Sequence, residues 1–286
     1  MNSILQAQHA SFSRKERGLT LVEILVAMVI SLFLTAGVIQ LFIGTKQTYR
    51  FNDGLSRIQE NARFALETMA ADIRMAAYSQ QPPNPLPANY PPLPPSPFTT
   101  AVQGPANNDI RVRWFDPCPG AGPCPANSNQ CDPAPGPGGV NGICFRRYFV
   151  QQGTAAAAGN PPACNAAQNS LFLQRDNAAN AQELIEGVQA LQILYGEDTT
   201  VPPDGTADQY VNGAAVANWN NIVSVRIDLL LVSLQDNIVT PIPGNSQQGQ
   251  QTVFFPIYNP NPLPPANDRC LRQAFSTTIT IRNRIP

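Results

Sequence analysis

The sequence predicts an α+β protein: one long N-terminal helix laid across an antiparallel β-sheet head that carries Pro-rich and Cys-rich loop insertions. Three observations predict it. Residues 19–43 read LTLVEILVAMVISLFLTAGVIQLFI, apolar but for a single charge, Glu23. From Phe51 the apolar residues recur every three or four positions, one face of an amphipathic helix. Beyond that, short alternating stretches are separated by turns rather than helices, which favours antiparallel pairing.

Taken in order, residues 1–18 precede the apolar run and include a basic cluster, Arg14, Lys15 and Arg17. The apolar run after it would rise about 37 Å as a helix, enough to cross a bilayer with some tilt. The basic cluster keeps the N-terminus cytoplasmic and sends everything after Ile43 outside. A cleavable secretory signal fits poorly, because no small-x-small site closes the run and the run exceeds the usual apolar core of such signals. A plain membrane anchor leaves Glu23 unexplained, since a carboxylate in an apolar helix is costly and normally has a partner.

The helix is expected to continue over residues 44–78. Phe51, Leu55, Ile58, Ala62, Ala65, Met69, Ile73 and Ala76 share one face. Asp53, Arg57, Glu60, Arg63, Glu67, Asp72 and Arg74 make the other, a solvated or partner-facing surface. The head then occupies 79–286. It opens on a Pro-rich insertion at 82–97, whose nine prolines exclude helix and central strand. An insertion loop is favoured there over a ligand for an aromatic groove. Strands are expected at 110–114, 144–150, 170–174, 183–188, 190–195, 222–234 and 274–281. Residues 117–142, rich in Pro, Gly, Asn and Cys, read as an irregular stapled loop. The GPGGVNG within it is no phosphate loop, because no helix follows.

Composition excludes several functions. A net charge of −1 with 13% charged residues argues against nucleic-acid binding. The one histidine, His9, lies in the first ten residues, so the head has no imidazole for a Ser-His-Asp triad, a Cys-His pair or a histidine-ligated zinc. The only lysine after residue 18, Lys46, abuts the membrane, which leaves little for a Ser-Lys dyad. The chain reads as no enzyme. Six cysteines, Cys118, Cys124, Cys131, Cys144, Cys164 and Cys270, lack C-x-x-C spacing and all follow the apolar run. They are candidate disulfides of an oxidising compartment, and six cysteines allow 15 pairings.

Residues 17–23, Arg-Gly-Leu-Thr-Leu-Val-Glu, resemble the class III leader of type IV pilins and pseudopilins. The resemblance implies that a prepilin peptidase cuts between Gly18 and Leu19 on the cytoplasmic side, that Leu19 becomes the N-methylated first residue, and that Glu23 is fifth in the mature chain. Leucine stands where the family usually begins with phenylalanine. Physics agrees about Glu23: cleavage creates a cation at Leu19, and the Glu23 of a neighbouring subunit could pair with it inside an apolar filament core.

Four further segments resemble the PilW-type minor pilins: residues 46–78, 183–198, 219–226 and 275–284. The resemblance implies a type IV pilin-like fold and a minor pilin that primes pilus assembly and sits near the tip. Its partners would be other minor pilins, the major pilin and a tip adhesin. The chain would pass once through the inner membrane with its head in the periplasm, and would later be part of the extracellular pilus. A J-type pseudopilin of type II secretion is the alternative. No cofactor is expected. In relatives the loop at 196–210 is often acidic enough to bind calcium. Here Asp198, Asp204 and Asp208 are the candidates, but Thr200 and two prolines break the alternate spacing of an EF-hand-like loop, so a polar hairpin is favoured.

Overall fold

The computed structural model describes residue 18, residues 20–76, 109–115, 143–157, 164, 167–175, 181–242, 244–249, 251–256, 263 and 268–282. The Pro-rich insertion and the 117–142 loop lie outside them. The chain divides into two units, Met1–Tyr49 and Arg50–Pro286.

Helix α1 runs Leu21–Met75, unbroken through Gly37 and Gly44. Thr20 caps it: its hydroxyl accepts from the Glu23 amide at 3.3 Å and its carbonyl accepts from the Ile24 amide at 3.2 Å. A threonine three residues before a glutamate is the start of a capping box. In the second unit, Ile58, Ala62, Ala65, Met69 and Ile73 are buried in one stripe. Phe51, on the same expected face, is 37% exposed, so burial begins later than the apolar period suggests. It begins at Gly54, where an added Cβ would come within 3.0 Å of the Ile238 side chain.

The head holds two four-stranded antiparallel sheets rather than one. The first joins β1 (Asp109–Phe115), β2 (Ile143–Gln152), β3 (Asn169–Arg175) and β4 (Gln182–Glu186) in that order. The second runs β10 (Arg272–Thr280), β7 (Ile222–Val232), β5 (Val188–Glu197), β6 (Gln209–Asn212). A small hairpin, β8 (Pro241–Ile242) and β9 (Asn245–Gly249), makes a third. The apolar period of residues 183–195 does not reveal that β4 and β5 belong to different sheets. Gly187 makes the switch. Its φ is +75°, and a Cβ there would meet the Val232 carbonyl at 2.5 Å, so only glycine passes.

One apolar cluster takes residues from the α1 stripe, from Tyr148, Leu171 and Leu173 of the first sheet, and from Val225, Ile227 and Leu229 of the second. Each fully buried Ile, Leu or Met contributes roughly 1.5–3 kcal/mol. A polar pin crosses it: the Tyr148 hydroxyl donates to the Asp72 carboxylate, with Arg146 4.0 Å from that carboxylate. Burial first, and then the Asp72 charge, pushes the Tyr148 phenol well above its ordinary range. The hydroxyl therefore stays a donor.

On the opposite face of β7, Asp228 is fully buried, paired in register with Gln192 and Ser276, and neither carboxylate oxygen makes a hydrogen bond of normal geometry. Burial pushes its carboxyl above the usual aspartate range, and nearby Ser276 and Arg226 temper the shift. As pH rises through that raised value, the folded head loses a proton that the unfolded chain has already lost, so this group takes stability away. Asp228→Asn is expected to gain roughly 1 kcal/mol at neutral pH. The gain should fade as pH falls below the ordinary aspartate range, where both states are protonated. Thermal melts of the two forms at several pH values check it; an equal or lower melting point for the variant at pH 7 would refute the argument.

Candidate functional site

The N-terminal end of α1 gathers the residues that the leader motif singles out. Gly18 is exposed, with nothing within 4 Å of the place a Cβ would take. Leu19 lies outside the described residues. Glu23 sits in the first turn, where its carboxylate faces the positive end of the helix dipole and loses part of the cost of its apolar surroundings. It opens a shallow groove lined with Ile24, Ala27, Met28, Ser31 and Leu32. The sequence reading missed Thr20; the T-x-x-E spacing was the signal that identifies it.

The rest of this half-helix is built for an apolar medium. Its most apolar stretch has a mean hydropathy of 2.5, none of it is buried, and it is long enough to cross a membrane. Leu21, Leu32 and Phe33 are each more than 70% exposed. The hydroxyls of Ser31, Thr35, Thr45 and Thr48 donate to the carbonyls four residues back, at 2.8–3.1 Å. Each of these hydroxyls is thus satisfied inside the helix, as a spanning segment requires. A helix that is apolar all round must be covered by lipid or by other helices.

The head holds a second candidate, the acidic loop between β5 and β6. Its three carboxylates do not converge. Asp198 is buried and accepts from the amides of Thr200 at 3.1 Å and Gly205 at 2.7 Å. Asp208 accepts from the Thr199 amide at 2.7 Å and its hydroxyl at 2.9 Å, and from the Thr200 amide at 3.0 Å. The Thr199 amide above all, with the Thr199 and Thr200 hydroxyls, holds the Asp208 carboxyl below its ordinary range. Asp204 accepts from the Thr206 amide at 2.8 Å. Backbone N–H groups bond at least one oxygen of each of the three carboxylates.

Among the described residues, one acidic and thiol group brings its ligand atoms within 4.8 Å: Cys164, Asp236 and Cys270. Its two sulfurs are bonded to each other as a disulfide, with Cα atoms 6.1 Å apart, so neither offers a thiolate. Cys118, Cys124 and Cys131 lie outside the described residues, and of Cys144 only its place on β2 is described.

Comparison with known proteins bears on both ends of the chain. Residues 13–39 match the prokaryotic N-terminal methylation motif. Residues 147–283 match the type IV pilus-assembly protein W family. That second match starts within β2, after both insertions, and takes in just under half of the 286 residues. No curated protein matches the chain. Among solved structures, a type IV-like pilin, TTHA1219 from Thermus thermophilus, is similar at 15% identity and a TM-score of 0.39, over 80% of this chain and 98% of that one. That likeness is too distant to assign a role to any residue. The leader motif implies processing by a prepilin peptidase and assembly with other pilins, and the family is structural rather than catalytic. Residues 13–39 thus carry the methylation motif, and residues 147–283 of the head match the type IV pilus-assembly protein W family.

Proposed function

We propose that this chain is a minor pilin that primes the filament and rides at its tip, after cleavage at Gly18–Leu19 and methylation of Leu19. The observation that carries the reading is the joining of a helix apolar on all sides to a head that matches the pilus-assembly family. In the membrane, lipid covers that helix; in a filament, the helices of neighbours do. Glu23, in the first turn, then pairs with the new amine of an adjacent subunit, which makes both charges tolerable away from water.

Bulk supports the tip. Removal of an 18-residue leader from 286 residues leaves 268, most of them head. A shaft subunit must pack its head against identical heads on every side. The insertions at 82–97 and 117–142 are poor material for such repeated contacts and are best tolerated where nothing stacks above. Companion minor pilins and an adhesin are the partners this placement calls for, with the head periplasmic before assembly and extracellular after it. Immunogold labelling of the head is expected to mark pilus ends. Even labelling along the shafts would sink the tip placement, and labelling confined to a type II secretion apparatus would favour the J-type pseudopilin.

The head needs no ion on this reading, because the amides that hold Asp198, Asp204 and Asp208 already order the loop. Millimolar calcium is expected to leave the melting temperature of the head unchanged; a rise of several degrees would restore calcium as a ligand.

A further inference from the structure

Sheet edges carry unpaired N–H and C=O groups that template pairing with another chain, and proteins blunt them with shortness, charge, proline or a bulge. Among the described residues four strands stand at the ends of the two four-stranded sheets. Three are blunted. β1 alternates Asp109, Arg111 and Arg113, with Arg147 of β2 bridged to Asp109 at 2.6 Å. β4 has five residues, two of them glutamates, and a register break against β3. β6 has four residues.

β10 differs on each count. It has nine residues, keeps unbroken register with β7 from Arg272 to Thr280, and carries no charge or proline after Arg272. Its pairing shows which groups face outward. The Ser233 amide donates to the Leu271 carbonyl at 2.8 Å, and the Ile281 amide donates to the Val223 carbonyl at 2.9 Å. Odd-numbered residues therefore bond toward β7, and even-numbered ones face away. At Arg272 the outward position is already taken. Its amide donates to Gln251 Oε1 at 2.7 Å and its carbonyl accepts from Gln251 Nε2, so a side-chain carboxamide stands where the peptide unit of one more strand would. Beyond it Ala274, Ser276, Thr278 and Thr280 present the same pair of backbone groups, with no described residue paired to them. The side chains of Ser276, Thr278 and Thr280 are exposed.

We propose that the β10 edge is a strand acceptor: an extended segment of a different pilus subunit adds alongside residues 274–280 as the outer strand of the second sheet. The proposal rests on the reading that this chain works within a filament. The edge selects the chemistry of its occupant. One face of the added strand continues the row of Phe275 and Ile279 and is apolar; the other joins Ser276, Thr278 and Thr280 and is small or hydroxylic. Charge is absent from the edge, so the occupant is uncharged there. A second copy of this chain is the wrong occupant, because two identical edges pair about a two-fold axis and close, whereas a filament grows by heterologous contacts.

The test uses the full chain in piliated cells. A benzophenone photo-cross-linker replaces Thr278 or, as control, Asn212 on the short β6 edge. Thr278→Pro removes one outward N–H and no bond to β7, and Thr278→Lys blunts the edge while keeping the backbone. The expected result is an adduct at position 278, not at 212, with a pilus subunit identified by mass spectrometry. Pilus number should fall about fivefold in each substitution, with the head's melting temperature unchanged; if the proline variant melts early, the lysine variant decides. Normal pilus number in the lysine variant, or an adduct with a second copy, overturns the proposal while leaving the filament reading intact. Failure to recover the unsubstituted chain from pili overturns both.

Discussion

Gly18→Ala is expected to accumulate as the full 286-residue chain, anchored in the membrane and missing from pili. A peptidase must close around the scissile bond, and a residue without a side chain allows the nearest approach. Among the described residues nothing lies within 4 Å of the Cβ that alanine would add, so the substitution is expected to leave the fold alone and act on cleavage. Without cleavage no amine forms at Leu19, and the Glu23 of a neighbour has no cation to meet. Glu23→Val separates the two steps: it should be cut normally, stay in the membrane, and fail to enter filaments, since the amine is then the charge left unpaired. Intact-mass measurement and N-terminal sequencing of membrane and pilus fractions read both outcomes. A pilus-borne Gly18→Ala chain that begins at Leu19, or normal incorporation of Glu23→Val, would refute the corresponding step.

The second large effect is expected from the disulfide. Cys164 and Cys270 are 106 residues apart in sequence, so their bond closes a long loop in the unfolded chain, and such bridges typically contribute about 2–5 kcal/mol. Both are 1% exposed and pack with Ala167, Val232 and Leu234. The bridge also ties the residue two positions before β10 to a distant segment, which anchors the start of the strand proposed to accept a partner. The Cys164→Ala/Cys270→Ala double variant is expected to melt roughly 5–15 °C lower, because a head of this size shifts by about 2–4 °C per kcal/mol. The double variant is preferred to either single one, which would leave a buried thiol free to mispair. Coincident melting curves would show that packing alone holds the segment. At this junction the Asp268 carboxylate grips Arg272 with two bonds of 2.6 Å. Burial works to raise the Asp268 carboxyl, but those bonds outweigh it and hold the group below its ordinary range. That contribution is complete above the usual aspartate range and is lost as pH falls through the lower folded value.

Local pattern determined a good deal about this protein. Apolar length, the single Glu23 and the residues around Gly18 depend on near neighbours in the chain, and so does the three-and-four spacing that buries Ile58, Ala62, Ala65, Met69 and Ile73. Seven strands were legible, because a half-buried strand writes its alternation into consecutive residues. What depends on distant residues was not. The division into two sheets turns on the positive φ of Gly187, a backbone state that composition does not reveal. The four-residue β6 is too short to carry a period. Fifteen pairings of six cysteines were open until the fold brought Cys164 against Cys270 across 106 residues. The spacing of the acidic residues in the β5–β6 loop favours a polar hairpin over an ion site, but the backbone amides that Asp198 and Asp208 accept from are supplied only by the closed loop. The place of β10 at the end of its sheet, among the described residues, was equally invisible, since a sequence lists strands but the order in which they pair decides which one is left at the end. That order is set by how the second sheet packs with α1 and the first sheet in one core, a matter of tertiary contact rather than local propensity.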